Sequence, residues 1–374
     1  MQKIGIFGGT FNPPHKEHIN IAKKVVKELD LDFLIVVPTF ISPHKIGKDV
    51  ASKKARLDML NLAFCNEKNI IVSDFELNNE GVSYSYITVN YFSDKYKDSK
   101  LYFLMGSDML ENFPTWKNPE IIASKVEVVL IERPFENVDT KKIIATYEKL
   151  YNKKVIVTKY KGEKVSSTEI RLKAKLNLPI NFDTSEEIAN YVTKNDVYKK
   201  DKYFSLVCEK LTENRRKHTY GVILTAEKLA KQVGADESKC TLSALLHDIA
   251  KYENVEDYNF TIPKNTPSAV AHQFLGEHIC KTILDITDDE ILNAVKYHTT
   301  GRENMSIVEK IVFVSDLIEE NRTFEGVEEL RKQVFIDFEK GFKLCIKELY
   351  KHLKNSQNDI YYLTKEAYDF YVKN

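Results

Sequence analysis

Several features that mark particular protein classes are scarce in this chain. Its 374 residues carry only five cysteines, Cys65, Cys208, Cys240, Cys280 and Cys345, scattered and odd in number. With no CxxC spacing they suit neither a zinc finger nor a disulfide framework, and they read as reduced thiols of a cytoplasmic protein. No apolar run approaches the length of a membrane span, and the opening Met-Gln-Lys-Ile leads into a strand, not a signal peptide. An excess of either charge is missing too: 55 Lys and Arg balance 55 Asp and Glu, so nothing draws the chain generally to nucleic acid or membrane. Tryptophan occurs once, at Trp116, and there is no internal repeat or low-complexity tract.

The length predicts two domains. In the first half, apolar and β-branched runs recur at Ile4–Phe7, Phe33–Val37, Ile70–Val72, Leu101–Met105, Val126–Ile131 and Val155–Val157. Helical spacing fills the gaps, as in Ala55–Phe64 and Ile143–Leu150. Strand alternating with helix implies an α/β, doubly wound parallel sheet with ligands at the carboxyl ends of its strands. A helical stretch from Ser185 closes this half, and the charged Lys199-Lys200-Asp201-Lys202 reads as a connector between domains 1–198 and 203–374. Beyond it, Val222–Ala230, Thr241–Lys251, Val270–Leu284, Glu290–His298, Val308–Glu319 and Phe335–Lys354 all carry helical spacing, and the tail from Gln357 reads as a last packed helix. The second domain is therefore expected to be all-α.

The first half is organised around Gly8-Gly9-Thr10-Phe11-Asn12-Pro13-Pro14-His15-Lys16-Glu17-His18, which follows a strand and opens an amphipathic helix. A helix N-terminus offers unpaired N–H groups and a positive dipole end, so it suits an anion. Two glycines let a phosphate approach the backbone, and His15 and His18, three apart, share a face. Gly-Gly alone would equally fit a tight turn with two surface histidines. The whole string resembles the GGTFDPxHxGH motif of nucleotidyltransferases, nicotinate mononucleotide adenylyltransferase above all, whose fold is Rossmann-like. Asn12 replaces the usual Asp and keeps an acceptor. Glu17 replaces Gly, adds a carboxylate beside an anion site, and is expected to turn to solvent.

Other segments match the same family. Pro43-His44-Lys45 resembles its PHK, whose lysine meets substrate phosphate, and Tyr84-Ser85 resembles the segment that serves the nicotinate carboxylate. Gly106-Ser107-Asp108 would approach a nucleotide hydroxyl, Trp116 stands where the family stacks a pyridine ring, and Arg133-Pro134 matches its RP. Taken singly, Lys45 is a solvated lysine and Trp116 a packing residue. Val165-Ser166-Ser167-Thr168-Glu169-Ile170-Arg171 is by itself a helix cap; it also resembles ISSTxIR, where cap and arginine hold the ATP triphosphate. The resemblance implies transfer of AMP from ATP to nicotinate mononucleotide. The nucleophile is a phosphate whose second pKa is about 6, so no general base is required. His15, His18, Lys45 and Arg171 would align and neutralise, with Mg²⁺ accompanying ATP. Relatives with the same opening motif, such as pantetheine-phosphate adenylyltransferase or cytidylyltransferases, are the rival reading.

In the second half, His247-Asp248 interrupts the apolar helix Ala244–Lys251. Burying both without partners is expensive, so they are paired or bind metal. His218, His272, His298 and Asp316 lie in other helical segments, and a bundle could aim all of them inward. The set resembles the HD phosphohydrolase superfamily, specifically the HD proteins that cleave diadenosine tetraphosphate symmetrically. That resemblance implies His218, His247, Asp248 and Asp316 on one metal, and Asp248 bridging to a second held by His272 and His298. Such ligands suit iron, manganese or zinc without selecting among them, and iron is the metal expected. Lys251 and Arg302 read either as phosphate contacts or as solvated cations. His278 and His352 read as ordinary helix positions. A nucleotide-sensing module without turnover, or an HD enzyme for another nucleotide, is the alternative.

Overall fold

The computed structural model describes residues 1–40, 50–79, 81–132, 138–356 and 360–373. The chain divides into two compact units, Met1–Ala174 with Pro179–Lys199, and Lys200–Asn374 with Lys175–Leu178.

The first unit holds six parallel strands, β1 (Gln2–Gly9), β2 (Phe33–Pro38), β3 (Ile70–Val72), β4 (Ser99–Gly106), β5 (Glu127–Ile131) and β6 (Val155–Val157), in the order β3-β2-β1-β4-β5-β6. Its helices are α1 (Lys16–Glu28), α2 (Lys53–Phe64), α3 (Phe75–Asn78), α4 (Ser85–Lys95), α5 (Ser107–Asn112), α6 (Pro119–Lys125), α7 (Thr140–Tyr151), α8 (Ser167–Lys175) and α9 (Glu186–Lys194). Side chains alternate across the pleat and feed two cores. Leu101, Phe103 and Met105 join one, Tyr102 and Leu104 the other. The central strands are apolar throughout because both faces are covered. Strand order reverses between β1 and β4, which places a crevice at their shared carboxyl edge, where Gly9 and Gly106 end their strands. The short helices α3 to α6 were not legible in the sequence.

The second unit is helical among the described residues: α10 (Lys202–Lys210), α11 (Glu213–Val233), α12 (Glu237–Leu246), α13 (Ser268–Thr282), α14 (Asp289–Tyr297), α15 (Ile307–Ile318), α16 (Val327–Ile336), α17 (Phe338–Asn355) and α18 (Tyr362–Tyr368). Helix α15 is buried on nearly every side, which explains its unbroken apolar run. No helix of the described residues is long and apolar enough to cross a membrane.

Two expected helices are corrected. Thr241–Lys251 is not continuous, because α12 stops at Leu246 and His247 caps it. Phe335–Lys354 is two helices: Asp337 ends α16 in an extended conformation and caps α17, its carboxylate accepting from Lys340 N–H at 3.0 Å. The tight corner needs Gly341, where an added Cβ would strike the Val334 backbone. Gly341→Ala is therefore expected to cost about 1–3 kcal/mol, read as a lower thermal midpoint of the full chain. An unchanged midpoint would show that α16 and α17 can part without loss.

Candidate active sites

In the first unit, backbone conformation shapes the loop after β1. Phe11 adopts φ 50° and tucks its buried ring under Gly9, where a Cβ would lie 3.0 Å from the ring. At Gly8 an added Cβ would meet no protein atom within 4 Å, so packing alone does not demand glycine there. His15 caps α1 reciprocally with His18. The His18 N–H donates to His15 Nδ1 at 3.4 Å and the His15 N–H to His18 Nδ1 at 3.3 Å. Their rings stack at 3.6 Å. Because each Nδ1 accepts, each ring carries its proton on Nε2.

Arg56, nearly fully buried on α2, ties the loop down. Its guanidinium donates to the carbonyls of Thr39 (2.7 Å), Thr10 (3.0 Å), Ala51 (3.2 Å) and Phe40 (3.4 Å). Burial lowers its pKa, yet four carbonyl dipoles answer the charge. The Asn12 side-chain oxygen accepts from Ala51 N–H at 3.0 Å and from the Tyr198 hydroxyl at 3.2 Å. The second motif segment arrives from α8. Arg171 donates to the Asn12 carbonyl at 2.8 Å and to Thr168 Oγ1 at 3.1 Å, and Ser167 donates to the Pro13 carbonyl at 3.1 Å. Ser166 Oγ accepts from Glu169 N–H at 3.4 Å. Residues about 150 apart in sequence thus share one loop.

Glu17 does not turn to solvent. It is buried, with the Tyr160 hydroxyl donating to its Oε2 at 2.7 Å, in the first turn of α1 where the helix dipole favours a carboxylate. Ser85 opens α4, and Asp108 lies exposed in the first turn of α5 after Gly106. Trp116 packs on Phe113 (5.3 Å) and Phe103 (6.3 Å). Its buried Nε1–H has no hydrogen-bond acceptor among the described residues. His44, Lys45 and Arg133 lie outside the described residues.

In the second unit, Asp248 is the hub. Its Oδ1 lies 3.2 Å from His272 Nε2 and 3.7 Å from His298 Nε2. Its Oδ2 lies 3.3 Å from His247 Nε2 and 3.9 Å from His218 Nε2. His218 Nε2 is also 3.0 Å from Asp316 Oδ1. His247 and Asp248 stand on the turn after α12, and this position is what orients the imidazole. His247 Nδ1 reaches back to the Ala244 carbonyl at 2.7 Å, and His298, capping α14, does the same to Val295 at 2.7 Å. Each Nδ1–H is thereby fixed and each Nε2 lone pair faces the cluster. His218 Nδ1 meets Glu319 Oε1 at 3.1 Å, and Asn321 holds Glu319 in turn.

Two pairs of imidazole nitrogens approach closely enough to share either a proton or a cation. His247 and His218 Nε2 are 3.3 Å apart, and His272 and His298 Nε2 are 3.2 Å apart. The sets His218–His247–Asp248 and Asp248–His272–His298 each bring their donor atoms within 4.8 Å, so the residues fit two metal ions sharing Asp248. Burial lowers the pKa of His247 and takes that of His272 down to about 4, so both are neutral at physiological pH, as a ligand must be. Burial also works to lower His218, but its hydrogen bonds to Asp316 and Glu319 outweigh it and raise the pKa, so a proton serves there when no metal does. For Asp248, burial opposes ionisation, and the surrounding histidines overcome it and hold the carboxyl well below its usual range.

Lys251 Nζ lies 3.4 Å from His272 Nε2, beside a cavity of about 200 Å³ walled by Ala250, Val255, Ser268, Ala269 and Leu275. Arg302 is neither solvated nor in the cluster, being bound through Nε and Nη2, at 2.7 Å each, to the buried carboxylate of Glu309. His278 stacks on Phe260 at 4.6 Å, apart from the hub. Sequence reasoning missed Arg215, which donates to Asp248 Oδ2 at 2.8 Å, and Arg322, which donates to Asp316 Oδ1 at 2.6 Å. Arg215 precedes His218 by one helical turn, and that spacing was the available signal. Arg56 gave no signal beyond being a cation in an amphipathic helix.

Family models match the chain twice: a cytidylyltransferase-like model over residues 6–173 and an HD domain model over residues 215–321. The chain is 36% identical over 200 residues to "Probable nicotinate-nucleotide adenylyltransferase" of Clostridium novyi, covering 53% of this chain and 100% of the relative. It is 31% identical over 333 residues to "Probable nicotinate-nucleotide adenylyltransferase/Ap4A hydrolase" of Mycoplasma genitalium, covering 87% of this chain and 89% of the relative. Among solved structures, a "predicted HD superfamily hydrolase involved in NAD metabolism" from Clostridium acetobutylicum matches with 32% identity and TM-score 0.43, over 46% of this chain and 96% of that one.

Gly221 faces Glu319 across α11, where an added Cβ would collide with the carboxylate. Gly221→Ala is expected to push Glu319 off His218 and weaken Mn²⁺ binding about tenfold, measured by calorimetric titration with helicity unchanged. Wild-type affinity in that variant would remove Glu319 from the support of the site.

Proposed function

We propose a separate reaction for each unit of this chain, which belongs to the nicotinate-nucleotide adenylyltransferase family in the form joined to an Ap4A hydrolase. The first unit transfers AMP from ATP to nicotinate mononucleotide, giving nicotinate adenine dinucleotide and pyrophosphate. The observation that carries this reading is the junction at Asn12, where Arg171 meets the loop three residues before His15. The start of α1, the Nε2–H groups of His15 and His18, and the charge of Arg171 together make a cradle of donors for an anion. The attacking phosphate is already ionised, so these groups need only align two anions and offset their repulsion. Gly8, Gly9, Thr10, Phe11, Ser166, Ser167 and Thr168 would frame the triphosphate accompanied by Mg²⁺; the family resemblance assigns the same task to His44, Lys45 and Arg133, which lie outside the described residues. Ser85, Gly106, Asp108 and Trp116 serve the nucleotide and pyridine ends; the buried indole N–H of Trp116, without an acceptor among the described residues, supports a ligand there.

The second unit hydrolyses diadenosine tetraphosphate to two ADP. Support comes from Asp248 at the centre of four imidazoles whose Nε2 atoms converge on its carboxylate. His218, His247, Asp248 and Asp316 would hold one cation, and Asp248, His272 and His298 the other, with iron, manganese or zinc suited to the donors. Cations there supply charge neutralisation and Lewis acidity to the phosphate chain. Lys251 meets a phosphate oxygen, and the adjoining cavity has room for part of a nucleoside. Five unpaired thiols fit a reducing cytoplasm.

The two reactions separate by mutation of the full-length chain. His18→Ala is expected to cut dinucleotide formation at least about 100-fold and spare ADP release from diadenosine tetraphosphate, whereas Asp248→Asn does the reverse. Chromatography of products reads both. Near-normal synthesis by the first variant would take His18 out of the reaction, and persistent ADP release by the second would take Asp248 out of it.

Adjacent glycines separate packing from binding. Gly9→Ala crowds the Phe11 ring and is expected to cost about 1 kcal/mol of stability. Gly8→Ala meets no protein atom, so its thermal midpoint should hold while KM for ATP rises about tenfold. An unchanged KM would place the triphosphate elsewhere.

A further inference from the structure

Arg215 projects from α11 onto the solvent side of Asp248, its Nη1 2.8 Å from Oδ2. Beside it, the Tyr252 hydroxyl lies 3.4 Å from Thr212 Oγ1. Asp248 is almost wholly buried, whereas the Arg215 side chain keeps 24% of its surface exposed. The arginine therefore sits at the mouth of the cluster.

Charge arithmetic makes that position consequential. Three carboxylates, Asp248, Asp316 and Glu319, lie in the cluster with three side-chain cations, Arg215, Lys251 and Arg322. Setting the imidazoles aside, these balance. Two divalent ions would add about four positive charges, and their own charge has to be counted. A tetraphosphate bridge carries about one negative charge per phosphorus, which matches that excess. Asp248 cannot serve every partner at once. When its two oxygens are committed to cations, Arg215 faces a positive centre with its carboxylate partner spent. A phosphate oxygen pair restores the balance in a geometry that a guanidinium fork accepts. Arg322 is held differently, chelating one residue through the Asp316 carbonyl (2.9 Å) and carboxylate (2.6 Å), as suits a fixed positioning group.

We propose that Arg215 is a substrate-phosphate contact of the second unit, parked on Asp248 until cations occupy the cluster and then passed to a phosphate oxygen. The proposal rests on the hydrolase reading above and names the group that receives its substrate.

The test uses the full-length chain, Mn²⁺ as the cation and ADP as the phosphate probe. Calorimetry measures Mn²⁺ binding first, then ADP binding to the Mn²⁺-loaded protein. For Arg215→Ala, Mn²⁺ affinity is expected to stay within about threefold of wild type while ADP affinity falls about 10- to 100-fold, with KM for diadenosine tetraphosphate rising in parallel. Arg215→Lys, which keeps the charge and guards against a folding defect, should recover part of the loss. Unchanged ADP affinity in Arg215→Ala would overturn the proposal. So would a collapse of Mn²⁺ binding that accounts for all the lost ADP affinity, since Arg215 would then be only a prop for Asp248. A wild-type chain that binds Mn²⁺ and ADP yet never releases ADP from diadenosine tetraphosphate would sink the hydrolase reading, while the ADP titration of Arg215→Ala would still decide the contact.

Discussion

Which nitrogen of an imidazole carries the proton decides whether it can meet an anion or a cation, and in both units a hydrogen bond to Nδ1 makes that choice. In the first unit, His15 and His18 accept backbone N–H groups on Nδ1, so Nε2 is left as a donor. In the second, His247 and His298 give their Nδ1 protons to carbonyls, so Nε2 is left as a lone pair. One residue type thus presents donors suited to an anion in one place and acceptors suited to a cation in the other. Neither outcome needs an unusual side chain. Each needs a helix end of the correct polarity within reach of the ring.

Holding those rings still falls to buried charges that bind backbone. Arg56 spends its guanidinium on four carbonyls and so fixes the loop from Thr10 and the segment after β2 to the same helix. Leaving such acceptors unsatisfied costs about 1–3 kcal/mol each, which makes the loop's path a property of the core. Glu319 acts similarly in the second unit, accepting from Asn321 on one oxygen while the other faces His218. These groups touch no proposed reactant, yet the reacting geometry depends on them.

Much of this could be read in advance, for identifiable reasons. The strands are apolar runs because both sheet faces are covered, and the two motif strings are local in sequence, so their residues announced themselves. The six cation-site ligands were legible because histidine and aspartate are conspicuous in apolar helices. What escaped were matters of three-dimensional polarity. The burial of Glu17 depends on Tyr160, 143 residues away. Arg302 read as a phosphate contact or a solvated cation because Glu309, its buried partner, lies in the next helix. The breaks at His247 and Asp337 arise where a side chain captures a backbone group, and hydrophobic spacing runs straight through such points.

Helix termini therefore do the chemical sorting. N–H groups without a partner inside the helix gather at the start of α1 and at the Ser166 cap of α8, and there the chain collects histidine donors and Arg171. Unpaired carbonyls gather at the ends of α12 and α14, and there they strip histidine of any role but acceptor. The dipole sense reinforces each arrangement, positive toward the anion and negative toward the cation. It also explains why moving His247 into the body of α12, as its spacing suggested, would spoil the site: a helical carbonyl three residues back is already committed along the axis, and the ring would lose the bond that aims it.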